Sequence, residues 1–243
     1  MAAAFGWGLL AASSLVIGGI LALAVKIPLR VIGLIMAFGA GVLVSAVAFD
    51  LVEEAQSATD DNWAVLVGLF VGCGVFFGGD VLIDRMGGGD RKDAGGAQQE
   101  GSALAIVLGT VLDGIPESMV IGLTIFQGGA VGAAYLTAVF ISNLPEAISS
   151  TAGLRLGGWR TPRILGLWVA IAIVSAFASL VGYAVFQDAS GNVVAFVLAF
   201  AAGAILTMLA DTMFPEAYEN GGKLVGVITT LGFAIAFTIH LLD

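Results

Sequence analysis

Residues 103–127 read ALAIVLGTVLDGIPESMVIGLTIFQ, and residues 130–154 read AVGAAYLTAVFISNLPEAISSTAGL. Each is long enough to cross a hydrocarbon core, which takes roughly 20 apolar residues in a helix. Yet the first carries Asp113 and Glu117 in its interior, and the second carries Glu146. A carboxylate in the middle of a membrane helix costs at least about 2.5 kcal/mol, so it persists where it faces a protein or water-lined interior with a partner. Whether these two stretches count as membrane spans decides the fold.

The surrounding chain favours counting them. Of 243 residues, 59% are hydrophobic and 11% charged, against about 25% charged in soluble domains; the mean hydropathy is +1.04. Uncharged runs cover residues 5–25, 31–49, 63–79, 164–186, 193–210 and 224–242. With the two acid-bearing stretches the expectation is an all-α polytopic membrane protein, a single membrane domain of eight spans. They lie at about 5–25, 31–54, 63–82, 103–127, 130–154, 164–186, 193–214 and 224–242. The short alternating strands of a membrane barrel are missing from the pattern. The first run lacks a basic leader and a convincing cleavage site, so it reads as a span.

Charge placement gives an independent check, because cytoplasmic loops collect Lys and Arg. With eight spans, the connections after spans one, three, five and seven share one side. They hold Lys26 and Arg30, then Arg85, Arg91 and Lys92, then Arg155, Arg160 and Arg163, then Lys223, which is all 9 basic residues. The opposite loops hold Glu53, Glu54, Asp60, Asp61 and Asp188. Both termini are therefore expected outside. Residues 84–101, with GGGD and AGG, read as a flexible cytoplasmic linker. The 35 glycines suit closely packed membrane helices. A single cysteine, Cys73, excludes a disulfide framework and a CxxC metal site. The net charge of -9 and the lack of a basic footprint exclude nucleic-acid binding.

Spans two and seven resemble each other: Phe38-Gly-Ala-Gly41 aligns with Phe200-Ala-Ala-Gly203, Ala48 with Ala210, and Glu54-Ala55 with Glu216-Ala217. Spans four and five pair likewise, as Gly114-Ile-Pro-Glu117 and Asn143-Leu-Pro-Glu146. Members of each pair run oppositely through the membrane in this topology. The pattern is a 3+2+3 inverted repeat, an architecture in which secondary transporters bind substrate at the repeat interface.

Asp113 and Glu117 are four residues apart and share a helix face, as do Ser142 and Glu146. If those faces meet, three acids and a hydroxyl surround one small volume, where mutual repulsion favours a bound cation. Pro116 and Pro145 each remove a helical hydrogen bond, freeing the carbonyls of Leu112 and Ile141 as further oxygen donors. The alternatives are protonated acids that only hold helices together, or a proton relay. Asp80, Asp211 and Glu216 near the inner span ends, and Asp50, Glu53 and Glu54 near the outer ends, read as solvated faces at least as readily as a metal funnel. His240 reads as an interface residue, and Met119, Met208 and Met213 as packing.

These residues resemble the ZIP (Zrt/Irt-like) metal transporters, in particular their bacterial branch. Asp113-Gly-Ile-Pro-Glu-Ser118 and Ser142-Asn-Leu-Pro-Glu-Ala147 stand where that family carries an H-N-x-P-E-G type motif. Residues 201–222 are similar to its seventh span, 230–243 to its eighth and 38–55 to its second. The resemblance implies a multi-pass inner-membrane protein, with spans one, four, five and six carrying the metal. Spans two, three, seven and eight would form a scaffold and homodimer surface, with transport by alternating access. It implies metal ligands Asp113, Glu117, Ser142 and Glu146, and a second site retaining Glu117, Asn143 and Glu146. Here Asp113 replaces the family's histidine and Gly114 its asparagine, while a span-six glutamate is replaced around Ser175. An all-oxygen set suits magnesium, manganese or calcium more than a nitrogen-bearing one does; zinc is the family default, with manganese or iron as further substrates.

The leading expectation is a divalent-cation importer with no organic cofactor and no enzymatic activity. The competing ones are a non-transporting ZIP-like scaffold acting as a sensor or partner-binding protein, and proton-coupled transport of another solute.

Overall fold

The structure is a computed structural model that describes residues 1–88, 102–126, 133–186 and 188–242. Most of the expected linker and the whole 127–132 connection lie outside the described residues. Among the described residues every regular element is helical.

Helix α1 spans Ala2–Ala24. Helix α2 starts at Leu29 directly after Pro28, whose extended backbone cannot continue a helix; it runs through Leu29–Ser45, a wide π-helical turn at Ala46–Val52 and a last stretch Glu53–Ser57. Helix α3, Asn62–Ile83, is capped by Asp61, whose carboxylate accepts from the Trp63 backbone N–H at 3.0 Å. Helices α4 (Ser102–Phe126) and α5 (Ala133–Leu156) follow, each continuing through an internal proline. Helix α6 is Thr161–Val185, with Pro162 in its first turn, where the missing N–H costs nothing. Helix α7 comprises Gly191–Met208, a π turn at Leu209–Met213 and Phe214–Gly221; a short tight turn leads into α8, Val225–His240.

Among the described residues six stretches are long and apolar enough to cross a membrane: Ala2–Ala24, Leu29–Ser57, Asn62–Met86, Leu108–Ile125, Thr161–Val185 and Gly191–His240. The expected eight differ from these six in two places. Helix α5 is not among them, being the more polar of the two acid-bearing helices, and α7 with α8 forms one stretch of 50 residues. That stretch does not run straight. The π turn of α2 packs on the first part of α7, whereas Gly33 near the start of α2 meets Asn220 and Gly221 at its end, so α7 runs opposite to α2. Going on along α2, Gly41 meets Thr229 and Phe233, and Asp50 meets His240, so α8 runs with α2. The chain reverses between them at Gly222, whose φ of 65° is accessible to glycine without strain.

Other helix pairs declare their directions in the same way. Gly68 of α3 faces Phe196 and Ala199, and Gly72 faces Phe200, so α3 and α7 are parallel. Helices α4 and α6 are parallel, with Gly114 at Ser175 and Gly122 at Tyr183. Helices α1 and α5 are parallel, with Gly18 at Leu144 and Ala147 and the Leu23 carbonyl at Arg155. Helices α1 and α6 are antiparallel, with Gly8 at Ser179 and Gly19 at Trp168.

The sequence pair Phe38–Gly41 and Phe200–Gly203 takes on a physical meaning here. A methyl group at Gly41 would collide with the Thr229 carbonyl, and one at Gly232 with the Phe38 carbonyl. On the other pair, a methyl at Gly203 would collide with the Leu69 carbonyl, and one at Gly72 with the Phe200 carbonyl. Both crossings bring backbone against backbone, which only glycine permits. The π turns of α2 and α7 also fall at matching places along the two aligned segments.

Candidate metal site

The acid-bearing helices are positioned by different neighbours. Helix α4 is held by α6, where Gly122 abuts the Ser179 carbonyl and Gly182 abuts the Met119 carbonyl. Helix α5 is held by α1 and α2; Gly39 of α2 lies against Ser142 and Pro145, an added Cβ coming within 3.3 Å of each. Among the described residues, helices α4 and α5 themselves touch only sparsely. One link between them is the Tyr135 hydroxyl, which donates to the Glu117 backbone carbonyl at 3.4 Å.

All five expected ligands are buried: Asp113 on α4 at 5% exposure, Glu117 at 2%, and on α5 Ser142 at 1%, Asn143 at 7% and Glu146 at 5%. Ser118, Ser149, Ser150 and Thr151 on the same two helices are buried as well, so most of the buried polar groups of the described chain lie on α4 and α5. Ser175 of α6 is buried and approaches the place a Gly114 side chain would occupy, its Oγ lying 3.5 Å from that Cβ position. The position expected to have lost a carboxylate thus faces α4 beside Asp113.

Some expectations meet a different geometry. Among the described residues no group of three or more His, Cys, Asp and Glu side chains is gathered closely enough to hold a metal by itself. The carbonyl of Ile141, freed by Pro145, lies toward Gly39 of α2, 3.6 Å from its Cβ position, and the Ser142 hydroxyl donates to the Val139 carbonyl at 3.1 Å. Burial also corrects the solvated-face reading for two acids. Glu216 is 9% exposed and accepts from the Ser149 hydroxyl at 2.5 Å, and Asp80 is equally buried on α3. Asp211, Glu53 and Glu54 are exposed as expected. Met208 and Met213 are packed in the core.

Sequence reading missed two contacts. His240 Nδ1 lies 2.8 Å from Asp50 Oδ1, joining the end of α8 to the π turn of α2, with Phe49 against the imidazole. The Tyr135 hydroxyl of α5 reaches the Glu117 backbone carbonyl of α4. Neither contact has a local signature, since the partners are 190 residues apart in one case and on separate helices in the other.

No family profile matches the chain. It is similar to a protein of Arabidopsis thaliana provisionally named a zinc transporter, with 25% identity over 191 residues, 77% of this chain. The chain spans 30% of that relative's length.

Proposed function

We propose that the chain is a divalent-metal transporter of ZIP type, moving its cargo toward the cytoplasm by alternating access. The single observation that carries this is the burial of Asp113, Glu117 and Glu146, with Ser142 and Asn143, on two sparsely touching helices inside an otherwise apolar bundle. Intramembrane acids of that kind belong to ion and proton pathways. With no three acids converging among the described residues, the cation is held by acids from α4 and α5 completed by the Ser142 hydroxyl, the Asn143 amide oxygen and water. Zinc is supported by the name of the Arabidopsis relative, while the oxygen-only ligand set extends the substrate range to manganese and iron.

An eight-span topology in a 3+2+3 inverted repeat supports this function. Its support is the reversal at Gly222, the alternating helix directions and the matched crossings of α2 on α8 and of α7 on α3. A helix of 50 residues would reach about 75 Å, more than twice the hydrocarbon thickness, which favours counting α7 and α8 as separate crossings. Helix α5 crosses between the parallel α4 and α6. Its polar groups face inward, so its low hydropathy does not bar it from the bilayer. Loop charge supports a cytoplasmic side for Lys26, Arg85, Arg155 and Lys223 and both termini outside, in keeping with an inner-membrane protein. Helices α2, α3, α7 and α8 form the scaffold and a homodimer face.

The test is uptake into proteoliposomes across manganese, iron, zinc, cadmium, cobalt and magnesium, for the native chain, Glu117→Ala and Glu146→Ala. Saturable uptake abolished in both variants is expected. A folded native protein that moves none of these metals would leave the sensor reading, whose support is the replacement of the family histidine by Asp113.

A further inference from the structure

At the end of the bundle that carries Lys26 and Arg155, a cavity of about 390 Å³ opens between α1, α2 and α5. Its walls are apolar: Ala22, Ile32, Ile148 and Ala152, of which Ile32 and Ile148 are 2% exposed. Lys26 and Arg155 are exposed beside this floor, and among the described residues no acidic side chain lines the cavity. The Arg155 guanidinium donates through Nη1 to the Leu23 carbonyl at 3.1 Å, in the last turn of α1. That bond fixes its orientation, and a guanidinium has five N–H donors, so others remain for a ligand.

We propose that this cavity binds the headgroup of an anionic phospholipid. The chemistry selects against the alternatives. Two cationic side chains repel a divalent metal, so the cavity does not belong to the cation path. A small hydrophilic anion gains nothing from the isoleucine and alanine floor, whereas a phosphodiester continued by acyl chains satisfies both parts. The volume lies within the range of small-molecule sites, about 300–1,000 Å³, which suits a headgroup with the first carbons of its chains. The cavity lies at the seam between the α1 and α5 pair and α2, so a bound lipid bridges helices that the proposed transport cycle moves apart. Only its assignment to the cytoplasmic leaflet and its influence on transport rest on the proposed function.

The experiment is native mass spectrometry of the intact purified protein with phosphatidylglycerol or phosphatidylcholine of identical chains. Alongside the native protein go Lys26→Gln, which leaves the Arg155 contact in place, and Ala152→Phe, which fills the floor. Phosphatidylglycerol is expected to be retained selectively, with about fivefold weaker retention in Lys26→Gln and loss in Ala152→Phe. Equal retention of both lipids, or unchanged retention in both variants, would overturn the proposal. Displacement by millimolar inorganic phosphate would reassign the site to a soluble anion and equally overturn it. Retention is read without any metal, so its failure is separate from a failure of uptake.

Discussion

Replacing Gly72 by alanine should destabilise the protein, whereas the same change at Gly74, two residues away, should not. A Cβ at Gly72 would meet the backbone of Phe200 on the parallel α7, at a distance no real Cβ adopts, and backbone cannot rotate aside. The helices must separate, and a gap of 0.5–1 Å already forfeits roughly a quarter to a half of each dispersion contact across the crossing. Overpacking of a fixed interface costs about 1–3 kcal/mol, and the upper end applies where the obstacle is main chain. Higher helix propensity of alanine returns about 1 kcal/mol, leaving a net loss of about 2 kcal/mol. At roughly 2–4 °C per kcal/mol for a chain of this size, the midpoint should fall by about 4–8 °C. Gly74 has nothing within 4 Å of its Cβ position, so Gly74→Ala should leave the midpoint unchanged or raise it slightly. Gly232→Ala, at the matching crossing of α8 on α2, should cost about as much as Gly72→Ala. Thermal unfolding in one detergent, followed by size-exclusion of the surviving folded fraction, measures all three. Equal midpoints for the Gly72 and Gly74 variants would refute the reasoning.

Gly39→Leu should reduce metal uptake severalfold while the acids stay intact, because the side chain wedges between α2 and the Ser142–Pro145 segment of α5; proteoliposome flux against the folded amount reads this. Ser149→Ala should cost about 1–3 kcal/mol in thermal or denaturant unfolding, since the buried Glu216 carboxylate loses its hydroxyl donor. A double-mutant cycle of Asp50→Asn and His240→Ala should give a coupling of no more than about 1 kcal/mol, because the pair is partly exposed to solvent. Zero coupling would remove this contact as a tie between α2 and α8.

The acids of the candidate site were legible because a charge inside an apolar run is conspicuous, and helical spacing alone puts Asp113 with Glu117 and Ser142 with Glu146 on shared faces. The burial of all five candidate ligands follows the same logic: in a membrane bundle a polar side chain has nowhere else to go. The segment match of α2 and α7 was likewise visible, since close helix crossings need glycine at fixed places. What could not be read was which helix each segment meets. The Thr229 carbonyl against Gly41, the Ser149 hydroxyl on Glu216 and the imidazole of His240 beside Asp50 depend on contacts far apart in sequence. A solvated reading of Glu216 and Asp80 failed for that reason, because nearness to a span end says nothing about the neighbour that covers it. The sequence by itself determined an apolar helical chain with carboxylates at its centre, because hydropathy and helical period are local properties. Only the tertiary structure decided that α4 and α5 are carried by different partners, that α7 turns back into α8 at Gly222, and that a basic-rimmed cavity opens beside α1, because these depend on how whole helices pack.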